Sequence, residues 1–255
     1  MAPSISMREW IRWLPAPESE PTNTLVLTSA QNYYVDIRVL RESPERETAA
    51  IRDNVLHLRQ LHWAFAGSSC ADVRCDETSG EVLRSRWIHW IDSNTLHGED
   101  VTDEGDMFPL DNGKTLERGE MVNPWTGRVT PYEECWKDVT PLPTTTETID
   151  SDARAADSPR DGRVCLVLRL HDESHQARGL AMRVGQFCQG ILRSAESFSL
   201  EQWAWEASTG WKRNVRMGDY WLPCAPMLKN HERLQVGQEV KQGEFVWHII
   251  EKDVY

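Results

Sequence analysis

The sequence is poor in the signals that mark most function classes. No apolar run approaches the roughly 18 residues of a membrane-crossing helix, and the opening segment carries Arg8, Glu9 and Arg12 among its apolar residues, unlike an export signal. There is no Asn-x-Ser/Thr acceptor, no Cys-x-x-Cys, no Gly-x-Ser-x-Gly elbow and no glycine-rich phosphate loop followed by a helix. Glycosylated secretory, redox, hydrolase and nucleotide-binding classes therefore lack support. Basic charge is also short: the chain has 28 Lys and Arg against 40 Asp and Glu. The deficit is uneven, with a net −10 over residues 1–138, −3 over 139–161 and +1 over 162–255. An acidic first half repels phosphate backbones and anionic lipid, which argues against nucleic-acid and membrane partners.

Six cysteines are scattered through a chain large enough to fold without staples, so reduced thiols in a cytosolic or nuclear protein are expected. Cys70 and Cys75 have no second close pair to complete a zinc site, and no metal or other cofactor is expected. The acidic segment from Glu99 to Asp106 does not place ligands at the spacing of a calcium loop and reads as a solvated loop. His171-Asp172-Glu173-Ser174-His175 lacks the His-Glu-x-x-His order and reads as a polar hairpin turn.

What is present in excess is tryptophan, with twelve copies. Arg86-Trp87-Ile88-His89-Trp90-Ile91-Asp92 and the later Gln202-Trp203-Ala204-Trp205-Glu206 share paired tryptophans at strand spacing closed by a carboxylate. Around them the chain alternates in period two. Tyr33 to Leu40 puts Tyr33, Val35, Ile37 and Val39 on one face, and Val164 to Leu170 repeats the pattern. Trp10 to Leu14 reads as an edge strand or helical turn. Ala177 to Arg193 is β interrupted by glycines, either one bent strand or two. Between the halves, residues 139–161 hold prolines, threonines and acids with little to bury, as a mobile linker does. Helix periodicity is nearly absent, and the hairpin spacing suits an all-β chain of two small antiparallel barrels in tandem, 1–138 and 162–255.

The segments Trp63-Ala64-Phe65-Ala66-Gly67, Trp87 to Ser93, Asp103-Glu104-Gly105-Asp106-Met107, Tyr132-Glu133-Glu134-Cys135-Trp136 and Val184-Gly185-Gln186-Phe187-Cys188-Gln189-Gly190 resemble the fungal Hri family. That resemblance implies lipocalin-like (calycin-type) barrels, a cytoplasmic and nuclear setting, no established activity, and a partner among protein kinases of the casein kinase I class.

A small barrel either fills its lumen or keeps room for one compact ligand. Trp63, Trp87, His89, Arg118 and Trp136 are candidate lining residues in the first half. Arg183, Gln186, Gln189, Trp203 and Trp205 are candidates in the second. A buried arginine among rings needs a carboxylate, a carbonyl or a ligand anion. The competing explanation is that Arg118 pairs with a neighbouring acid and the tryptophans are core. His89 is the best single acid–base candidate if flanking tryptophans lower its pKa. No catalytic residue is assigned. Thr145, Thr148 and Ser151 stand three apart, the spacing of primed phosphorylation by casein kinase I enzymes, or simply a threonine-rich spacer. The sequence favours a non-enzymatic interaction protein, with a barrel that binds, isomerises or cyclises a small hydrophobic or aromatic ligand as the alternative. An open lumen with Arg118 or Arg183 unpaired would favour the ligand, and plugged interiors with an exposed apolar patch would favour a partner surface.

Overall fold

The structure is a computed structural model that describes residues 2–41, 55–56, 58–76, 80–144, 162–195 and 197–255. Thr145, Thr148 and Ser151 lie outside the described residues. The described chain is almost entirely β, as its period-two patterning requires, and it forms two sleeves.

The first sleeve is a closed eight-stranded up-and-down barrel, with β1 (Ser4–Trp13), β2 (Thr22–Thr28), β3 (Tyr33–Leu40), β4 (Leu61–Asp76), β5 (Gly80–Asp92), β6 (Thr102–Pro109), β7 (Lys114–Val122) and β8 (Val129–Val139) in ring order. β1 pairs with β2 on one side and β8 on the other, so the Trp10 to Leu14 segment is no edge: it belongs to the strand that closes the ring. The acidic segment expected as a solvated loop is mostly β6. Its charge is tolerated because arginines of the neighbouring strands meet it: Arg84 and Arg86 bind Glu104, and Arg84 binds Asp106.

The second sleeve is a curled half-barrel of β9 (Val164–Asp172), β10 (Ala177–Val184), β11 (Phe187–Arg193), β12 (Phe198–Glu206), β13 (Gly210–Met217), β14 (Glu239–Gln242) and β15 (Phe245–Val254). Its order is β13-β12-β11-β10-β9-β15-β14, so β13 and β14 are unjoined edges. The chain between those edges supplies a short helix, α1 (Cys224–Lys229), whose Cys224, Met227 and Leu228 are buried with Leu166, Leu168 and Trp247. The hollow of the second sleeve is thus filled. The glycine-rich run 177–193 is two strands, β10 and β11, turning at Gly185 with φ 51°. Gly179 leaves room for the buried Trp247 ring, since a Cβ there would stand 2.3 Å from it.

The main core lies between the sleeves. Leu25, Leu27, Val35, Ile37 and Ala64 of the first pack with Val167, Leu180, Met182, Ile191 and Leu200 of the second. The apolar face of β3 therefore points outward, beneath the second sheet. Its alternate residues Tyr34, Asp36 and Arg38 point into the first barrel. The barrel is inside out along β2 and β3, with polar groups within and its apolar wall jacketed by the half-barrel. Buried Gln189 of β11 pins this contact, donating to the carbonyls of Leu25 at 3.0 Å and Val35 at 2.7 Å.

Candidate functional site

The lumen of the first barrel holds a cavity of about 370 Å³. Strand alternation places its walls: β3 supplies Tyr34, Asp36 and Arg38, β7 supplies Glu117, and β8 supplies Tyr132, Glu134 and Trp136. Phe65, Trp87, Met107 and Met121 give it apolar surface, and the lining residues Cys70, Leu83 and Asp138 are exposed, so the cavity reaches solvent on their side.

Its charged groups form a buried network. Arg38 donates through Nε and Nη2 to Asp36 Oδ2, at 3.0 and 2.8 Å, and reaches Glu134 Oε1 at 3.4 Å. Arg8, just behind the lining, binds Glu134 and Glu20 as well as the Thr22 hydroxyl. The Arg38 guanidinium also stands over the rings of Trp63 and Phe65, at 5.3 and 5.1 Å. Burial opposes the charge of Arg38, but Asp36 and Glu134 outweigh it and hold its pKa above the ordinary value. Burial likewise pushes the Asp36 carboxyl up against the pull of Arg38. Glu117 differs from these acids. It accepts from two neutral donors, the Tyr132 hydroxyl at 2.7 Å and the Trp136 indole N–H at 2.8 Å. Burial, then repulsion from Glu134, raises its pKa to about 8.

Of the residues singled out from sequence, Trp87 and Trp136 line the cavity. Trp63 and His89 sit one layer behind. His89 shares its ring nitrogens between Asp92 at 2.8 Å and Asp103 at 3.2 Å, and Trp63 donates to Asp92. The neighbours of the His89 ring are Phe65, Trp63 and Tyr34, not Trp87 and Trp90. Its pKa is raised rather than lowered: burial pulls it down, but hydrogen bonds to Asp103 and Asp92 prevail. Arg118 faces outward, its side chain 51% exposed, and pairs with Glu133.

The second-half candidates do not gather around one space. Arg183 is buried against α1, donating to the Met227 carbonyl and the Thr144 hydroxyl, and stands 5.1 Å from the Trp211 ring. Desolvation lowers its pKa to about 10. Gln186 holds the strap after β8 by accepting from Leu142 N–H and donating to the Thr140 carbonyl. Gln189 is in the contact between the sleeves. Trp203 donates to Glu201, and Trp205 packs edge-on to Trp211. The turn between β9 and β10 carries the His171 to His175 segment, where His175 bonds Asp172 in a hairpin. Among the described residues no group of three or more His, Cys, Asp or Glu is arranged to hold a metal, and the six cysteines are free.

The residues that sequence reasoning passed over are Tyr34, Asp36, Glu117 and Glu134. Asp36 and Arg38 did carry a signal, as charges alternating with Val35, Ile37 and Val39. Which face turned inward was not in the pattern.

The family model described as HRI1, Protein HRI1, matches residues 4–251. No curated protein matches the sequence. Among solved structures, the crystal structure of the uncharacterized protein YLR301w from Saccharomyces cerevisiae is similar at 20% identity, with a TM-score of 0.71 and 100% of each chain covered.

Proposed function

The chain belongs to the HRI1 family, and from that premise and the geometry of the lumen we propose that it is a binding protein whose first barrel takes up one small molecule. One observation carries this. The first sleeve keeps an open, partly aromatic cavity, while the second fills its hollow with α1 and Trp247. At about 370 Å³ the space falls within the ~300–1,000 Å³ of small-molecule sites. It pairs apolar wall with a few fixed polar groups, the combination that binds and orients a ligand. The buried arginines are engaged by Asp36, Glu134 and Glu20, so they do not wait for a ligand anion. The lumen's charged groups are spent largely on one another, Arg38 on Asp36 and Glu134, which favours carriage or sensing over isomerisation or cyclisation.

Native mass spectrometry of the protein purified from its own host tests this. Wild type is expected to carry an additional small mass that Ser85→Trp, which places an indole in the lumen, excludes. Bare sequence mass for wild type in every charge state would refute it.

A protein-interaction role is the second reading, favoured by the turn between β7 and β8. There Val122, Trp125 and Val129 form an exposed apolar tip, Trp125 at 65% exposure with its ring edge-on to Trp13. If a kinase of the casein kinase I class docks on this apolar tip, Trp125→Ala weakens its binding about tenfold in a purified two-component titration. Unchanged affinity would remove the tip as a docking site.

A further inference from the structure

We propose, resting on the lumen reading above, that the ligand is a small organic cation. Its ammonium group lies between Glu117 and Asp36, and its apolar or aromatic body lies against Trp87, Trp136 and Phe65.

The charge inventory of the cavity points to this class. Five acidic side chains line it, those of Asp36, Asp103, Glu117, Glu134 and Asp138, against one guanidinium, that of Arg38. The basic side chains behind the wall are already committed, Arg8 to Glu134 and Glu20 and His89 to Asp103 and Asp92. Acids outnumber bases on this wall, which favours an ammonium over an anion of the same body.

Unspent hydrogen-bonding capacity points the same way. Arg38 directs both of its bonds to Asp36 at Oδ2, which leaves Oδ1 buried without a partner, although the residue is only 3% exposed. The Tyr34 hydroxyl, on a side chain 1% exposed, is also unpartnered. Both residues line the lumen. Buried polar groups left unmet are costly, and a ligand donor would relieve both. β3 and β7 lie four strands apart round the eight-stranded ring, so Asp36 and Glu117 address the lumen from opposite walls. An alkylammonium offers three donors and no acceptor, which matches two facing carboxylates and a phenol oxygen. The surrounding indole and phenyl faces add cation–π attraction.

The groups facing Glu117 are Tyr132, Glu134 and Trp136 from β8, Arg38 from β3, and β6, which brings Gly105 against its side chain and carries Asp103. With its pKa near 8, Glu117 holds its proton in the empty lumen at pH 7. An ammonium ligand ionises it, and the proton passes to solvent.

Isothermal titration of the full chain at pH 7 with 4-phenylbutylamine, 4-phenylbutanol and 4-phenylbutyrate separates head-group charge from body. The amine is expected to bind about tenfold or more tightly than the alcohol, and the acid more weakly than either. Amine binding in buffers of different ionisation enthalpy releases protons, while alcohol binding releases none; this measurement needs no variant. Glu117→Gln weakens the amine about tenfold and leaves the alcohol within about twofold. An alcohol or acid that binds as tightly as the amine overturns the cationic class and leaves the lumen a binding site. Amine binding with no proton release and no response to Glu117→Gln also overturns it. If none of the three binds at millimolar concentration, the lumen reading falls and the cationic class with it.

Discussion

Arg38→Met lowers the stability of the protein by about 3–5 kcal/mol at neutral pH, the usual cost of removing one partner from a buried ion pair. The substitution keeps apolar bulk beside Trp63 and Phe65 but strips the guanidinium from Asp36 and from the Glu134 edge of the network. Asp36 is fully buried and its carboxyl is already pushed up by desolvation, with Arg38 as the counterweight. Without that counterweight the folded-state pKa climbs further above the unfolded value. A carboxyl raised in this way adds stability that is full below its unfolded pKa and lost as pH rises through the folded one. The deficit of the variant is therefore largest at neutral and alkaline pH and narrows toward pH 4. Urea unfolding of both proteins across that range checks it. A deficit below about 1 kcal/mol at pH 7 would mean the pair contributes no more than a surface one.

Glu117→Gln has the opposite sign. In the folded protein this carboxyl titrates near 8 in place of its ordinary 4.5. Its contribution is present in full below 4.5 and is lost as pH rises through 8, so ionising it opposes folding throughout the alkaline limb. Glutamine keeps the shape, accepting from the Trp136 N–H and donating to the Tyr132 oxygen, and never ionises. The variant is expected to stay within about 1 kcal/mol of wild type near pH 5 and to exceed it by on the order of 5 kcal/mol at pH 9. Thermal melts at the two pH values read this directly. A variant less stable than wild type at both would show that Glu117 is charged and compensated in the empty barrel.

Much of the fold was legible because alternation is a local property. Tyr33 to Leu40 and Val164 to Leu170 declare strands residue by residue, and the scarcity of helix period leaves few alternatives. Local pattern is silent on two matters that here decide the site. The first is which face of an alternating strand turns inward. Val35, Ile37 and Val39 satisfy a core equally well inside a barrel or beneath a second sheet, and only the position of β10 and β11 settles it. The lumen therefore belongs to Asp36 and Arg38, and the aromatic rings sought there were found only in part. The second is cross-strand compensation. The acids from Asp103 to Asp106 read as solvated because their partners are not neighbours in sequence: Arg84 and Arg86 stand opposite Asp106 and Glu104 by register, and His89 bonds Asp103. Arg118 failed as a lining residue for the same period-two reason that Glu117 succeeded: adjacent positions on β7 face opposite ways. The closing helix α1, six residues without a cap motif, left no periodic trace to follow.

The inverted wall along β2 and β3 has a consequence for how such a protein can change. In most small barrels the residues that touch a guest are also the residues that hold the sleeve together, so altering one taxes the other. Here the load rests on the far side of the wall, where Leu25, Val35 and Ile37 meet the second sheet. The lumen-facing positions between them carry none of that apolar load and are held instead by pairing with one another, Arg38 with Asp36. A change on the inner side of the wall is thus independent of the outer core but bound to its ionic partner, so positions 36 and 38 tolerate substitution only together.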